Sequence, residues 1–146
     1  MAKPITARAG KMRILLGDGG SPETFDAPCG LTSKGLRIQK NLSEVTIPDC
    51  DDPDLPITLG RDVESISASI SGEGVLAASA VDTWLDAYES TNSVAVKVEI
   101  EFSTGTVTWT GSFHIESLEI GAEQGGRVTL NVSMQSDGAL TRVGPV

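Results

Sequence analysis

Val94-Ala-Val-Lys-Val-Glu-Ile-Glu-Phe102 sets large apolar residues at Val94, Val96, Val98, Ile100 and Phe102 and places Lys97, Glu99 and Glu101 between them. Successive side chains of a strand point to opposite faces, so this spacing marks a strand with one dry and one wet face. Ser103-Thr-Gly105 is a short polar turn, after which Val107, Trp109, Phe113 and Ile115 alternate with Thr108, Thr110, Ser112 and His114. A second turn at Gly125-Gly126 leads to Val128, Leu130, Val132 and Met134, alternating with Arg127, Thr129, Asn131, Ser133 and Gln135. Residues 94–135 therefore read as an antiparallel three-strand meander. Between Ile115 and Leu118 the apolar residues change from odd to even positions. A strand can keep them on one face only by inserting a residue, which predicts a β-bulge or bend at Glu116-Ser117.

Outward from the meander, the 146 residues fit one domain, long enough to bury roughly 70% of the unfolded surface in a single core. No apolar run approaches the roughly 20 residues a membrane span needs, and no apolar segment follows the basic start, so neither a span nor a signal peptide is expected. Charge is divided along the chain. Met1–Pro48 holds seven Lys or Arg against four Asp or Glu, and the rest holds four against sixteen, so a basic beginning precedes an acidic body with net charge −9 overall. Such a body repels nucleic acid, while the basic beginning suits an acidic neighbour, another copy of the chain included, or simple solvation. Cys29 and Cys50 sit in loop-like sequence and are expected as free thiols. One His and two Cys are too few for a metal site, and no Gly-x-Ser-x-Gly is present, so no enzyme and no cofactor are expected.

Residues 1–10, with Pro4, read as an extended arm, and Lys11–Leu16 as a first strand ended by a turn at Gly17-Asp-Gly-Gly20. Ser21–Gly30 reads as a connection, extended near Thr24–Ala27. Leu36, Ile38 and Lys40 mark one strand, Val45 and Ile47 its partner. Pro48-Asp-Cys-Asp-Asp-Pro-Asp-Leu-Pro56 blocks regular structure, so residues 49–62 read as a long exposed loop. Its aspartates lack the Gly and Glu that a helix-loop-helix calcium site needs. Ile66, Ala68 and Ile70 then alternate with Ser65, Ser67, Ser69 and Ser71. Leu76, Ala80, Trp84 and Tyr88, four apart and flanked by Val81 and Leu85, form the stripe of one helix over residues 80–90, with Ser79 and Asp82 as its capping box. Leu76, Trp84, Leu85 and Tyr88 are its expected core or subunit-interface residues. Residues 136–146 are turn-rich and read as a tail or arm.

Five segments in this order, Ala27-Pro-Cys-Gly30, Glu44-Val-Thr-Ile-Pro-Asp-Cys-Asp-Asp-Pro-Asp54, Ser69-Ile-Ser-Gly-Glu-Gly74, Trp84-Leu-Asp-Ala-Tyr88 and Ser133-Met-Gln-Ser-Asp-Gly138, resemble the major tail tube proteins of long-tailed bacteriophages. The resemblance implies a mainly β fold, an antiparallel β-sandwich or barrel with one flanking α-helix and a long protruding loop. It implies hexameric rings stacked into a virion tube, assembled in the host cytoplasm. Tape-measure protein would lie inside the tube, terminator and tail-tip or baseplate proteins at its ends, and DNA would pass through without specific binding. It assigns inter-ring contacts to Asp49, Asp51, Asp52, Asp54 and Arg61 and to Lys3, Arg8 and Lys11 of the arm. The lumen would be lined by Ser65, Ser67, Ser69, Glu99, Glu101 and Glu116. The chain stops too soon after Gln135 for an additional immunoglobulin-like domain. The competing expectation is a monomeric β-sandwich module binding glycan or calcium, which would need an exposed aromatic row or a carboxylate cage.

Overall fold

The computed structural model describes residues 3–17 and 24–144. It contains β1 (Met12–Gly17), β2 (Phe25–Asp26), β3 (Leu31–Ile47), β4 (Thr58–Val75), α1 (Ala78–Glu89), β5 (Val94–Phe102), β6 (Gly105–Gly121), β7 (Thr129–Ser136) and β8 (Thr141–Val143). All pairings are antiparallel, in the order β2-β1-β5-β6-β7-β4-β3, with β8 also on β6.

The meander forms as its alternation requires. Val98 lies opposite Trp109 and Ile100 opposite Val107, and Leu118 and Ile120 lie opposite Val132 and Leu130. The register shifts between Ile115 and Ser117, which makes Glu116 the extra residue and returns Leu118 to the dry face. β6 changes partner at Phe113, just before this bulge. Its first half, to Phe113, pairs with β5, and its second half, from Phe113, pairs with β7.

The sheet rolls around its dry face. Ile14, Leu16, Val96, Val98, Phe113, Leu130, Val132, Met134, Ile70 and Ala68 join one core cluster, into which α1 inserts Ala80 and Trp84. Rolling brings the strands at opposite ends of the order together, where the Lys34 ammonium donates to the Met12 carbonyl at 2.7 Å. No backbone ladder joins β1 to β3 among the described residues, so the result is an open, sandwich-like roll.

Close approach fixes two glycines. A Cβ at Gly74 would collide with the Gly30 carbonyl oxygen and stand 2.7 Å from Leu31 Cα and Thr32 N. Gly30 itself has φ +103 and accepts the Val75 amide at 2.9 Å. Gly74→Ala is therefore expected to cost about 2–3 kcal/mol, read from urea unfolding of the two proteins.

Several expectations need correction. The runs 36–40 and 45–47 belong to one 17-residue strand, β3, whose partner is β4. Beyond the core neither face is buried, so apolar residues appear on both and the single-strand period is lost. The irregular segment is shorter than 49–62, because β4 already begins at Thr58. The helix starts at Ala78 and its N-cap is Ala77, without a side-chain cap bond, so no Ser79–Asp82 capping box forms. Leu76 precedes the helix, packed against the core. The expected tail at 136–146 contributes a strand, β8, paired to Thr108–Thr110. Lys3–Arg8 has no regular structure and ends in a single helical turn at Ala9–Lys11. The expected turn at Gly17–Gly20 lies mostly outside the described residues, as does the beginning of the 21–30 connection.

Candidate functional site

The chemistry-bearing side chains do not converge. Among the described residues no three His, Cys, Asp or Glu are grouped to hold a metal ion. His114 Nε2 lies 3.3 Å from Asp137 Oδ2, a carboxylate that the sequence reading did not supply, but both side chains are about half exposed and no nucleophile hydrogen-bonds the ring among the described residues. Cys29 and Cys50 are free and exposed at opposite ends of β3. Strand rise alone separates them by roughly 55 Å.

What the fold presents instead is open strand edge. β4 and β3 pair along their whole length, whereas β7 reaches β4 only from Ser69 to Val75. The remaining stretches, about 38–47 and 58–67, leave the body as a two-stranded arm. On the arm's core-side face Ile38, Leu42, Val63 and Ile66 are exposed, each at 51–64%. The ladder parity can be read at Ala68, whose amide donates to Ser136 Oγ at 2.9 Å, on the β7 side. Ile38, directly opposite Ala68, therefore turns its own N–H and C=O outward, away from β4. The outer edge of β3 is unpaired throughout the described residues, and so is the edge of β6 beyond Phe113 that faces away from β7.

The arm's tip is a self-closing turn. Asp49 Oδ1 accepts the amides of Asp51 and Asp52 at 2.8 and 3.1 Å, Asp52 Oδ1 accepts that of Asp54 at 3.2 Å, and the Asp52 carbonyl accepts that of Leu55. Asp and Asn favour such turns because a short side chain reaches the backbone two or three residues on. Two of the four carboxylates are thus engaged in shaping the tip.

Two polar walls flank the roll. On one, Ser69 and Ser71 of β4 stand opposite Gln135 and Ser133 of β7, and Gln135 donates to Glu116 at 2.9 Å. On the other, the Arg13 guanidinium binds Glu99 Oε1 at 3.1 Å and Glu101 Oε2 at 3.0 Å, with Lys11 4.0 Å from Glu101. Hydrogen bonding by Glu99, then by Glu101, holds the Arg13 guanidinium above its ordinary pKa.

A sequence model of the family described as phage tail tube protein matches residues 7–142. The chain belongs to the phage tail tube protein family. The fold of this tail tube protein is shared by solved assemblies. A chain of the virion of a native gene transfer agent particle superposes with a TM-score of 0.73 at 22% identity, covering 95% of this chain and 100% of that one. The SPP1 tail tube gives 0.69 at 15% identity, covering 97% and 80%. A chain of the anti-feeding prophage baseplate gives 0.67 at 14% identity, covering 99% and 98%. No curated protein matches in sequence.

In the tail tube subunit the residues singled out from sequence fall into separate places. Asp49, Asp51, Asp52 and Asp54 share the tip, but Arg61 lies in the stem, paired at 3.4 Å to Glu44 across the ladder. Ser65 and Ser67 are on the arm, and Ser69 joins Glu116 on the wall beside β7. Glu99 and Glu101 are on β5, three strands from β4 in the order. The six residues expected along one lumen are thus spread over β4, β5 and β6 of a sheet that rolls around one core. Alternation distinguishes inside from outside but cannot tell two outside walls apart. In the helix Trp84 is buried and Leu85 half-buried, while Tyr88 is 52% exposed and is not a core residue. Lys3 and Arg8 of the tail tube subunit's arm are exposed, and Lys11 joins the Glu101 network. Sequence reading missed Arg13, whose signal is its position on a wet strand face that pairs with the Glu99–Glu101 face.

Proposed function

We propose that this tail tube protein forms six-membered rings in which the outer edge of β3 of one copy pairs with the open half of β6 of the next, and that the rings stack through the arm into a virion tube. The observation behind this reading is the run β6-β7-β4-β3, which ends in an open edge on both sides. Its four strands alternate in direction, so β3 meets the next β6 antiparallel and closure continues the same ladder pattern. Open edges of this length aggregate unless each finds a partner, and a closed ring supplies one for every copy. The gene transfer agent tail solved with C6 symmetry, which shares the fold, supports six as the number.

With the run β6-β7-β4-β3 as the inner wall, Ser65, Ser67, Ser69 and Glu116 face the lumen, and Glu99 and Glu101 face away from it. On that face Arg37, opposite Ser69, is outnumbered by Glu73, Glu116 and Glu119 among hydroxyls and amides, so phosphates find little net anchor, which suits passage of DNA and, before it, of a tape-measure protein. The aspartate tip and the basic arm of Lys3 and Arg8 serve as contacts between rings, and terminator and tip proteins close the tube's two ends. Assembly takes place in the host cytoplasm, and the role is structural, without catalysis.

Electron microscopy of the purified protein at rising concentration tests the reading. Six-fold rings and tubes are expected, and monomers persisting at every concentration, even with a tail initiator complex added, would contradict it. Replacing both Glu99 and Glu101 with Lys is expected to leave tube formation and DNA ejection unchanged. It should lower subunit stability by about 1–2 kcal/mol, because the ion pairs lost are only partly exposed and the new lysines face Arg13 and Lys11. Melting at low and high salt, together with an ejection assay, checks this.

A further inference from the structure

The arm has a second open edge that ring closure does not use. Beyond Ala68, whose amide is capped by Ser136 Oγ, β4 runs from Ser67 back to Thr58 with nothing among the described residues paired on the side away from β3. β8 occupies the same edge of β6 as β7, but among the described residues it pairs with β6 alone. The edge facing it stays unbridged. Ile66 has the parity of Ala68, so its N–H and C=O both point into this gap, and its side chain is 64% exposed.

We infer that this edge is completed by the N-terminal arm of a second copy, which adds as an antiparallel strand with Ile5 opposite Ile66. The inference rests on the tube reading above and names the partner of the arm within it. Lys3–Arg8 has no regular structure of its own, Arg8 at its end is extended, and Ile5 is 57% exposed. Pro4 has no N–H, so its nitrogen must face outward. That orientation turns the N–H and C=O groups of Lys3, Ile5 and Ala7 toward β4, the parity that an exchange of both bonds with Ile66 needs. The register then sets charges as well. β4 carries an extra residue between Ser65 and Val63, since Asn41 pairs with Ser65 and Leu42 with Val63. Two residues of β4 therefore stand opposite Ala7, and Arg8 falls opposite Asp62. Neither Arg8 nor Asp62 has an ion-pair partner among the described residues. Ile5 and Ile66 cover each other on one face while Arg8 and Asp62 meet on the other, a combination of apolar and opposite-charge cross-strand pairs. The copy's own arm does not suit the site. It enters β1, which lies against the β3 side at Lys34, and the open edge is on the other side of the two-stranded arm.

Two proline substitutions separate strand addition from loose contact. Ile5→Pro removes a donor that faces β4, whereas Thr6→Pro removes one that faces outward and keeps Ile5 extended. Ile5→Pro is expected to raise the concentration needed for tubes at least about tenfold, and Thr6→Pro to leave it within about twofold, both subunits melting like the wild type. A photo-crosslinker at position 5, in tubes mixed from isotope-labelled and unlabelled copies, is expected to join residues 65–67 of another copy. Wild-type concentration dependence for Ile5→Pro, or crosslinks confined to the same copy or to other surfaces, overturns the inference and leaves the tube reading standing. Wild-type protein that forms no tubes at any concentration overturns both.

Discussion

Ile38→Pro is expected to leave the subunit folded and to impair tube formation. Ile38 stands opposite Ala68, whose amide turns toward Ser136 and not toward β3. The pair is therefore a non-hydrogen-bonded one, and the N–H of Ile38 faces outward. Proline there removes no bond of the subunit's own ladder, and the side chain it replaces is 54% exposed. Proline is tolerated on edges for this reason. In a ring closed through β3 the same position becomes a central strand, where proline removes a ladder hydrogen bond and leaves its acceptor unpaired, a cost of about 1–3 kcal/mol at each interface. The concentration at which tubes appear should rise by at least about tenfold. Gln39→Pro is the reciprocal control. Its N–H points to β4, so it should destabilise the monomer itself by about 1–3 kcal/mol, visible in urea unfolding.

Trp84→Ala is expected to have the largest effect on the fold, about 3–5 kcal/mol of unfolding free energy. Trp84 is 1% exposed and is the largest side chain in the cluster that unites both halves of the roll. Its indole N–H is buried without an acceptor among the described residues, so the native state already bears the cost of desolvating it. That places the loss toward the lower part of the range and makes Trp84→Phe, which removes the same N–H with less volume, much milder. Against a total of about 5–15 kcal/mol for a domain, Trp84→Ala should leave a population that melts tens of degrees earlier and assembles poorly. Calorimetry and sedimentation of both variants check the ranking.

The meander was legible because each of its strands has one buried face, and alternation is a record of burial. Even the bulge at Glu116 could be placed, since the parity of Phe113 and Ile115 against Leu118 and Ile120 admits no regular strand. The arm was not legible as one hairpin. Its residues Ile38, Leu42, Val45, Ile47 and Val63 are exposed in the subunit, and without burial against the core no face of the arm imposes a period. β8 was hidden for a related reason. Thr141-Arg-Val143 is exposed on an edge and too short for a period to show. For the candidate surfaces, sequence identified wet faces but not which wall each belonged to, because that depends on how far the sheet rolls. The Arg13–Glu99–Glu101 network connects residues far apart in the chain, and only the β1–β5 register makes it visible.

The central claim is that β6, β7, β4 and β3 form the inner wall and that the wall closes from β3 to the next β6. A cryo-electron microscopy reconstruction of the assembled tube tests it most directly. The expected map shows a continuous inner sheet with β3 beside residues 114–121 of the neighbouring copy, Ser65, Ser67 and Ser69 facing the lumen, and Glu99 and Glu101 turned away from it. A map with Glu99 and Glu101 on the lumen, or with the outer edge of β3 facing solvent between copies, would contradict it.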